Sequence, residues 1–137
     1  MPVNIKNKNR KVNDKKLYNK IKPYIKGVVI GNIFFFIGVV ISALIIYKSD
    51  NSSTFVYVIP LMFEFLGAFF CGVSVQKNVG GRGFLIGALS SLPFIASALL
   101  FVCIIIGFKV DFNVLIVIPI GVLGGFTGGI TAVNTRI

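Results

Sequence analysis

One carboxylate stands in the middle of a long apolar run in this sequence. The run extends over residues 54–75, and Glu64 lies at its centre. A charged carboxylate at mid-membrane costs roughly 2.5 kcal/mol or more on insertion scales. No Lys, Arg or His occurs at comparable depth. We therefore expect a neutral, protonated carboxyl that hydrogen-bonds to Ser91 or Ser97 or faces water.

Two interpretations of Glu64 follow from its position. The first is a proton- or cation-linked site in a small transporter or channel. The second is a neutral hydrogen-bonding group that orders the packing of helices. In steps of four and three residues, Glu64, Gly67 and Cys71 share one helical stripe, whereas the bulky residues of the opposite side are expected to face lipid. Those bulky residues are Phe63, Leu66, Phe69, Phe70 and Val73.

Other reactive side chains are scarce. The chain has no histidine and two cysteines, Cys71 and Cys103, which both lie in apolar runs near opposite membrane faces. We expect no disulfide between them, no metal site and no cofactor. No nucleophile, base and orienting group can be assembled within the runs, so the sequence predicts a protein that is not an enzyme.

The composition excludes an ordinary soluble domain. Hydrophobic residues make up 55% of the 137 positions, charged residues make up 13%, and the mean hydropathy is +0.91. Four uncharged or nearly uncharged runs are separated by short polar turns, and the first would be about 32 Å long as a helix, enough to cross the hydrocarbon layer. We predict an all-α integral membrane four-helix bundle. Its spans are residues 27–47, 54–75, 83–108 and 112–133.

The positive charges predict how the spans are oriented. Twelve of the fourteen basic residues fall in the N-terminal tail, the turn between spans two and three, and the C-terminal tail. The positive-inside rule then places both termini in the cytoplasm. The net charge of +10 does not indicate nucleic-acid binding, because nine basic residues precede Gly27 and the others are scattered between apolar runs.

Residues 1–26 form a basic tail ahead of the membrane domain, residues 27–137. We expect the first dozen residues to be disordered. From Asn13 onward, apolar residues recur at helical spacing among lysines, which predicts a short interfacial helix bent near Pro23. A solvated polybasic tail that only sets the topology is the alternative. The lysines expected to contact anionic lipid head groups are Lys15, Lys16, Lys20, Lys22 and Lys26.

The two halves of the chain resemble each other. A shift of 57 residues superimposes Leu66-Gly67 on Leu123-Gly124, and a shift of 56 superimposes Gly27 on Gly83. If the halves are duplicated, both hairpins enter from the same side and are parallel repeats, so we expect a pseudo-twofold bundle.

Glycines recur at four-residue spacing within the spans, which removes side chains where helices cross and allows backbones to approach closely. We expect these glycines to pack helices within one chain; homodimerisation is the alternative. The predicted packing residues are Gly67, Cys71, Gly72, Gly83, Gly87, Gly121, Gly124, Gly125, Gly128 and Gly129.

Two glycine-rich motifs carry a resemblance to a known family. Residues 82–87, Arg-Gly-Phe-Leu-Ile-Gly, open the third span, and residues 123–130, Leu-Gly-Gly-Phe-Thr-Gly-Gly-Ile, lie in the fourth. From about Lys20 to its C-terminus the chain resembles a family of small, uncharacterised four-span membrane proteins of clostridia and bacilli. The resemblance implies a bacterial cytoplasmic membrane protein, and it implies no activity or functional residue.

The sequence therefore favours a non-enzymatic membrane protein that acts by packing, against a second copy or as an accessory or regulatory subunit of a larger membrane protein. Its basic tail would be held on anionic lipid. The alternative is a small proton- or cation-linked transporter or channel that uses Glu64.

Overall fold

The structure, a computed structural model, describes residues 5–48, 53–106 and 112–135. These residues form four α-helices, which are α1 (Ile5–Lys48), α2 (Ser53–Val79), α3 (Gly83–Ile106) and α4 (Phe112–Asn134). The prediction of an all-helical chain is confirmed for this part of the protein. Most of the turns predicted at 48–53 and 109–111, and the last two residues of the C-terminal tail, lie outside the described residues.

Each helix is long and apolar enough to cross a membrane. The qualifying segments are Asp14–Ile45, Val58–Val79, Gly83–Phe101 and Leu115–Asn134. A helix satisfies its backbone hydrogen bonds within its own segment, as a chain without access to water must. The four apolar helices indicate a multi-pass membrane protein.

The described part of the basic tail, from Ile5 onward, is helical. We expected a disordered start and a separate interfacial helix from Asn13, but α1 is one helix of 44 residues that begins at Ile5 and runs through Pro23. Extending an existing helix costs far less than nucleating a new one, and lysine is a good helix former. The apolar span therefore serves as the nucleus from which the polar residues continue the helix.

The second helix also ends later than expected. Gln76 was assigned to a turn, yet α2 continues to Val79 and Gln76 is fully buried. Its side-chain Nε2 donates a hydrogen bond to the carbonyl oxygen of Gly81 at 3.0 Å, and its backbone carbonyl accepts from the Gly80 N–H. Gly80 and Gly81 have φ angles of 72° and 94°, a left-handed conformation that suits glycine. The turn is therefore shorter than expected and is anchored by an amide side chain.

Helix α2 contacts each of the other three helices. Helix α3 also contacts all three, whereas α1 and α4 do not touch within the described residues. The core lies between α1, α2 and α3. It consists of Phe35, Ala68, Cys71, Val75, Phe94, Ile95 and Ala98.

Part of the bulky side predicted for α2 faces neighbouring helices instead of lipid. Leu66 and Phe70 are exposed as expected. The ring of Phe63, however, covers Gly38 of α1, and the backbone of Phe69 meets Gly128 of α4. The prediction was wrong at Phe63, whose ring packs on α1, whereas at Phe69 only the backbone is in contact with another helix.

The first hairpin is closed by glycines of α1. A Cβ on Gly27 would collide with the side chain of Val75 and would lie 3.1 Å from the carbonyl oxygen of Cys71. A Cβ on Gly31 would lie 2.9 Å from the carbonyl oxygen of Gly67 and 3.1 Å from the Cβ of Cys71. The backbones of α1 and α2 can be this close only because both positions lack a side chain.

The second hairpin repeats this arrangement. A Cβ on Gly83 would meet Val133 and Gly129, and a Cβ on Gly87 would meet Gly125 and Gly129. Residues that make equivalent contacts are 56 positions apart in α1 and α3, as Gly27 and Gly83 are, and 58 positions apart in α2 and α4, as Val75 and Val133 are. If a strict twofold axis related the two hairpins, the contact between α2 and α3 would have a counterpart between α1 and α4. The described residues have no such contact. The hairpins are therefore alike, but they are packed together unequally.

Candidate functional site

Glu64 lies where three helices meet. Its side chain on α2 is 4% exposed. A Cβ built on Gly121 of α4 would be 3.7 Å from its Oε1 atom and 2.6 Å from Cγ1 of Ile95 on α3. The carboxyl is therefore enclosed by α2, α3 and α4, and the missing side chain at residue 121 provides part of the space for it.

The carboxyl does not have the partners that we expected. The Ser91 hydroxyl donates to the carbonyl oxygen of Ala88 at 2.8 Å, and the Ser97 hydroxyl donates to that of Phe94 at 2.7 Å. Among the described residues Glu64 Oε1 is buried and has no hydrogen-bond partner. Both serines bond to their own helix because the carbonyl three residues earlier is always within reach.

A different polar pair links α1 to α3. Asn32 Nδ2 donates to Ser97 Oγ at 3.0 Å, and Ser97 Oγ lies 3.2 Å from Asn32 Oδ1. Both side chains are half-buried. These two small polar side chains therefore bridge α1 and α3.

Breaking this bridge should have a modest, measurable effect. We expect a double-mutant cycle of Asn32→Leu and Ser97→Ala to give a coupling energy of about 0.6 kcal/mol, because interhelical hydrogen bonds in membranes average that value. The measurement is the free energy of unfolding of the four proteins in bicelles. Pairing Asn32→Leu with Ser90→Ala is the control, since the Ser90 hydroxyl bonds to Gly87 of its own helix. Equal coupling in both cycles would contradict the prediction.

Cys71 packs in the core. Cys71 is buried and its Sγ lies 3.3 Å from the carbonyl oxygen of Ser90, and Cys103 is half-buried. Both are free thiols, as expected. Among the described residues, no three His, Cys, Asp or Glu side chains come together in a group that could hold a metal ion.

The glycines of α4 form two contact faces. Gly124 and Gly128 meet backbone carbonyls of α2, where a Cβ on Gly124 would lie 2.5 Å from the carbonyl oxygen of Phe65. Gly125 and Gly129 meet the backbone of α3. Gly72 of α2 completes the crossing, because a Cβ there would lie 2.5 Å from the carbonyl oxygen of Gly125.

All the predicted packing glycines are buried against other helices of the same chain. Each of them therefore contacts another helix of the same chain in this structure. The bulky residues that remain exposed include Ile33, Ile37 and Val40 of α1 and Leu89 of α3.

The basic residues of the tail lie on the N-terminal part of α1. The five lysines predicted to contact head groups are all exposed on this helix. Sequence reasoning missed Asn78 near the end of α2, which lies close to two of them and lines a notch with Lys22 and Lys26.

Comparison with known proteins adds a family and no activity. No curated protein and no solved structure matches the chain. Residues 20–132 match a family described as "Protein of unknown function (DUF3792)". This match covers most of the chain, from the N-terminal half of α1 to the last turn of α4. The chain therefore belongs to this uncharacterised family, DUF3792.

Proposed function

We propose that the chain is a non-enzymatic protein of the bacterial cytoplasmic membrane, of the kind found in clostridia and bacilli, with both termini in the cytoplasm. It is a four-helix bundle that acts through its outer surface as an accessory or regulatory subunit of a larger membrane protein. The observation that carries this proposal is the packing of the glycines. Because these glycines lie against other helices of the chain, most of the large side chains that the described spans expose to lipid or a partner are bulky and apolar.

The orientation is tested first. Lys77 and Arg82 flank the turn between α2 and α3, and the basic part of α1 lies on the same side as this turn, because Gly27 packs against Val75 near the end of α2. The positive-inside rule favours the cytoplasm for this side. Reporters fused after Gly81 and at the C-terminus should both be active only in the cytoplasm, and activity of either one outside would refute the orientation.

The accessory role is tested by crosslinking from the surface. A photo-crosslinking residue at Ile37 or Leu89, both exposed, should capture one defined membrane protein in cells. The same residue at Ala98, which is buried, is the matched control and should capture none. Capture of a second copy of the chain would favour a homodimer instead, and capture of lipid alone from every exposed position would contradict both forms of association.

A second candidate function rests on Glu64. A carboxyl that is 4% exposed and has an Oε1 atom without a hydrogen-bond partner in the described residues suits a site that exchanges a proton or cation. In liposomes, Glu64→Gln should abolish a proton or cation flux that Ser97→Ala leaves intact. Equal flux for Glu64→Gln and the unmodified protein would remove this candidate.

A further inference from the structure

A polar notch lies at the basic end of the helices, between α1 and the end of α2. Its volume is about 340 Å³, and it is lined by Asn19, Lys22, Pro23, Lys26 and Asn78. The first four occur at steps of three, one and three residues, so they lie on one face of α1. Asn78 is one residue from the end of α2. The notch is therefore formed by two helices. It differs in this from the rest of the exposed basic segment, which belongs to α1 alone.

The notch concentrates positive charge. Lys22 and Lys26 are one helical turn apart and both are exposed, and like charges at this spacing repel each other. An anion bound between them would remove that repulsion and would bond to both ammonium groups. Asn78 Nδ2 donates one hydrogen bond to the carbonyl oxygen of Ser74 at 2.7 Å, and the same amide nitrogen has a second N–H for an anion.

One residue that lines the notch has a backbone carbonyl without its usual helical donor. Pro23 has no N–H, so the carbonyl oxygen of Asn19 lacks the donor that a helix normally provides four residues later. Both residues line the notch. A ligand that carries a hydroxyl donor next to its negative charge would satisfy this carbonyl as well as the two lysines.

The position of the notch identifies the source of such a ligand. Lys26 immediately precedes Gly27, which packs against Val75 of α2, and Asn78 follows Val75 by three residues. The notch therefore begins where the apolar segments of both helices end, at the level of lipid head groups.

We propose that this notch binds the head group of one anionic glycerophospholipid. The phosphate lies between Lys22 and Lys26, and a head-group hydroxyl donates to the carbonyl oxygen of Asn19. Phosphatidylglycerol has this chemistry. The assignment rests on the membrane placement proposed above and deepens it, because it names one site within the general attraction of the basic segment for anionic lipid.

The test uses the full chain in detergent and native mass spectrometry, with phosphatidylglycerol, phosphatidylcholine or inorganic phosphate as probes. One phosphatidylglycerol per chain should be retained, and Lys22→Gln with Lys26→Gln should weaken its binding at least tenfold by the loss of both ammonium groups. The matched control, Lys15→Gln with Lys16→Gln, removes the same charge outside the notch and should change binding less than about twofold. Equal weakening by both pairs, or equal binding of phosphatidylcholine, would overturn the site.

Two further measurements separate the remaining outcomes. Displacement of the lipid by millimolar inorganic phosphate would overturn the lipid as ligand and assign the notch to a soluble phosphate. Pro23→Ala restores the N–H and should reduce the preference for phosphatidylglycerol over phosphatidylmethanol, an anionic phosphodiester without a hydroxyl donor; an unchanged preference would refute the role of the Asn19 carbonyl. If the unmodified chain binds no phosphatidylglycerol but its reporters show the expected topology, the lipid site in the notch is refuted and the proposed orientation is not.

Discussion

Gly129→Ala should lower the free energy of unfolding by about 3 kcal/mol, the upper end of the usual cost of overpacking. The added Cβ would collide with the carbonyl oxygen of Gly83 and would lie 2.8 Å from the Cα of Gly87. These are backbone atoms of α3, so they can move only if the two helices separate. Separation also loses the dispersion contacts that hold helices together where lipid is equally apolar.

The sign of this effect is informative. Alanine is intrinsically better than glycine in a helix by about 0.8–1 kcal/mol, so a helix without a close neighbour would be stabilised by the substitution. Gly121→Ala is the matched control on the same helix, because its Cβ would meet side-chain atoms of Ile95 and no backbone of another helix. We expect about a third of the effect there, because a side chain can rotate. Unfolding in bicelles measures both, and equal stability of the two variants would contradict the close crossing of α3 and α4.

The glycine pattern shows how far the sequence could predict this fold. Four-residue spacing correctly indicated contact faces, because helix geometry alone places such residues on one stripe. It could not indicate that Gly124 and Gly128 meet α2 whereas Gly125 and Gly129 meet α3. The two sets are chemically identical and one residue apart, so the choice depends on how the helices are arranged in space.

The limits of the helices were predicted less well than their number. Apolar length determined the four spans, but α1 and α2 both continue into polar sequence, as far as Ile5 and Val79. Polar composition indicates a loop only when no helix is already present to be extended. At Gln76 a local hydrogen bond also stabilises the end of the helix, since the side-chain amide donates to the Gly81 carbonyl across the turn.

The surroundings of Glu64 could not be predicted from residue types. Serines at suitable depth suggested hydrogen-bond donors, and Ser97 does form an interhelical bond, but with Asn32 of α1. Which of several polar groups meet is decided by the rotation of each helix about its axis. A hydropathy pattern fixes that rotation too loosely to pair individual side chains.

Glu64→Met should raise the free energy of unfolding by about 1 kcal/mol, the low end of the cost of an unsatisfied buried polar group. The side chain is buried, and its Oε1 atom has no partner within the described residues. Methionine is similar in length, carries no strong hydrogen-bonding atom and adapts to the space beside Ile95 and Gly121. The gain is limited because the carboxyl is also poorly solvated in an unfolded chain that remains in the membrane.

Two controls give this prediction its meaning. Glu64→Gln keeps a polar group of the same shape, so its free energy of unfolding should stay within about 0.5 kcal/mol of the original value. Asn32→Leu removes a polar group that does have a partner, and it should be destabilising, opposite in sign to Glu64→Met.

The sign of the Glu64→Met effect separates the two interpretations of the carboxyl. If Glu64 ordered the bundle by hydrogen bonding, its loss would destabilise the protein by as much as about 1–2 kcal/mol, and that result would favour a purely structural group. A gain in stability means that the chain keeps Glu64 at a cost to its own packing, which is expected of a group retained for proton or cation exchange. Unfolding measurements in bicelles would therefore decide whether the carboxyl has a structural role, and the flux assay would test the transport function itself.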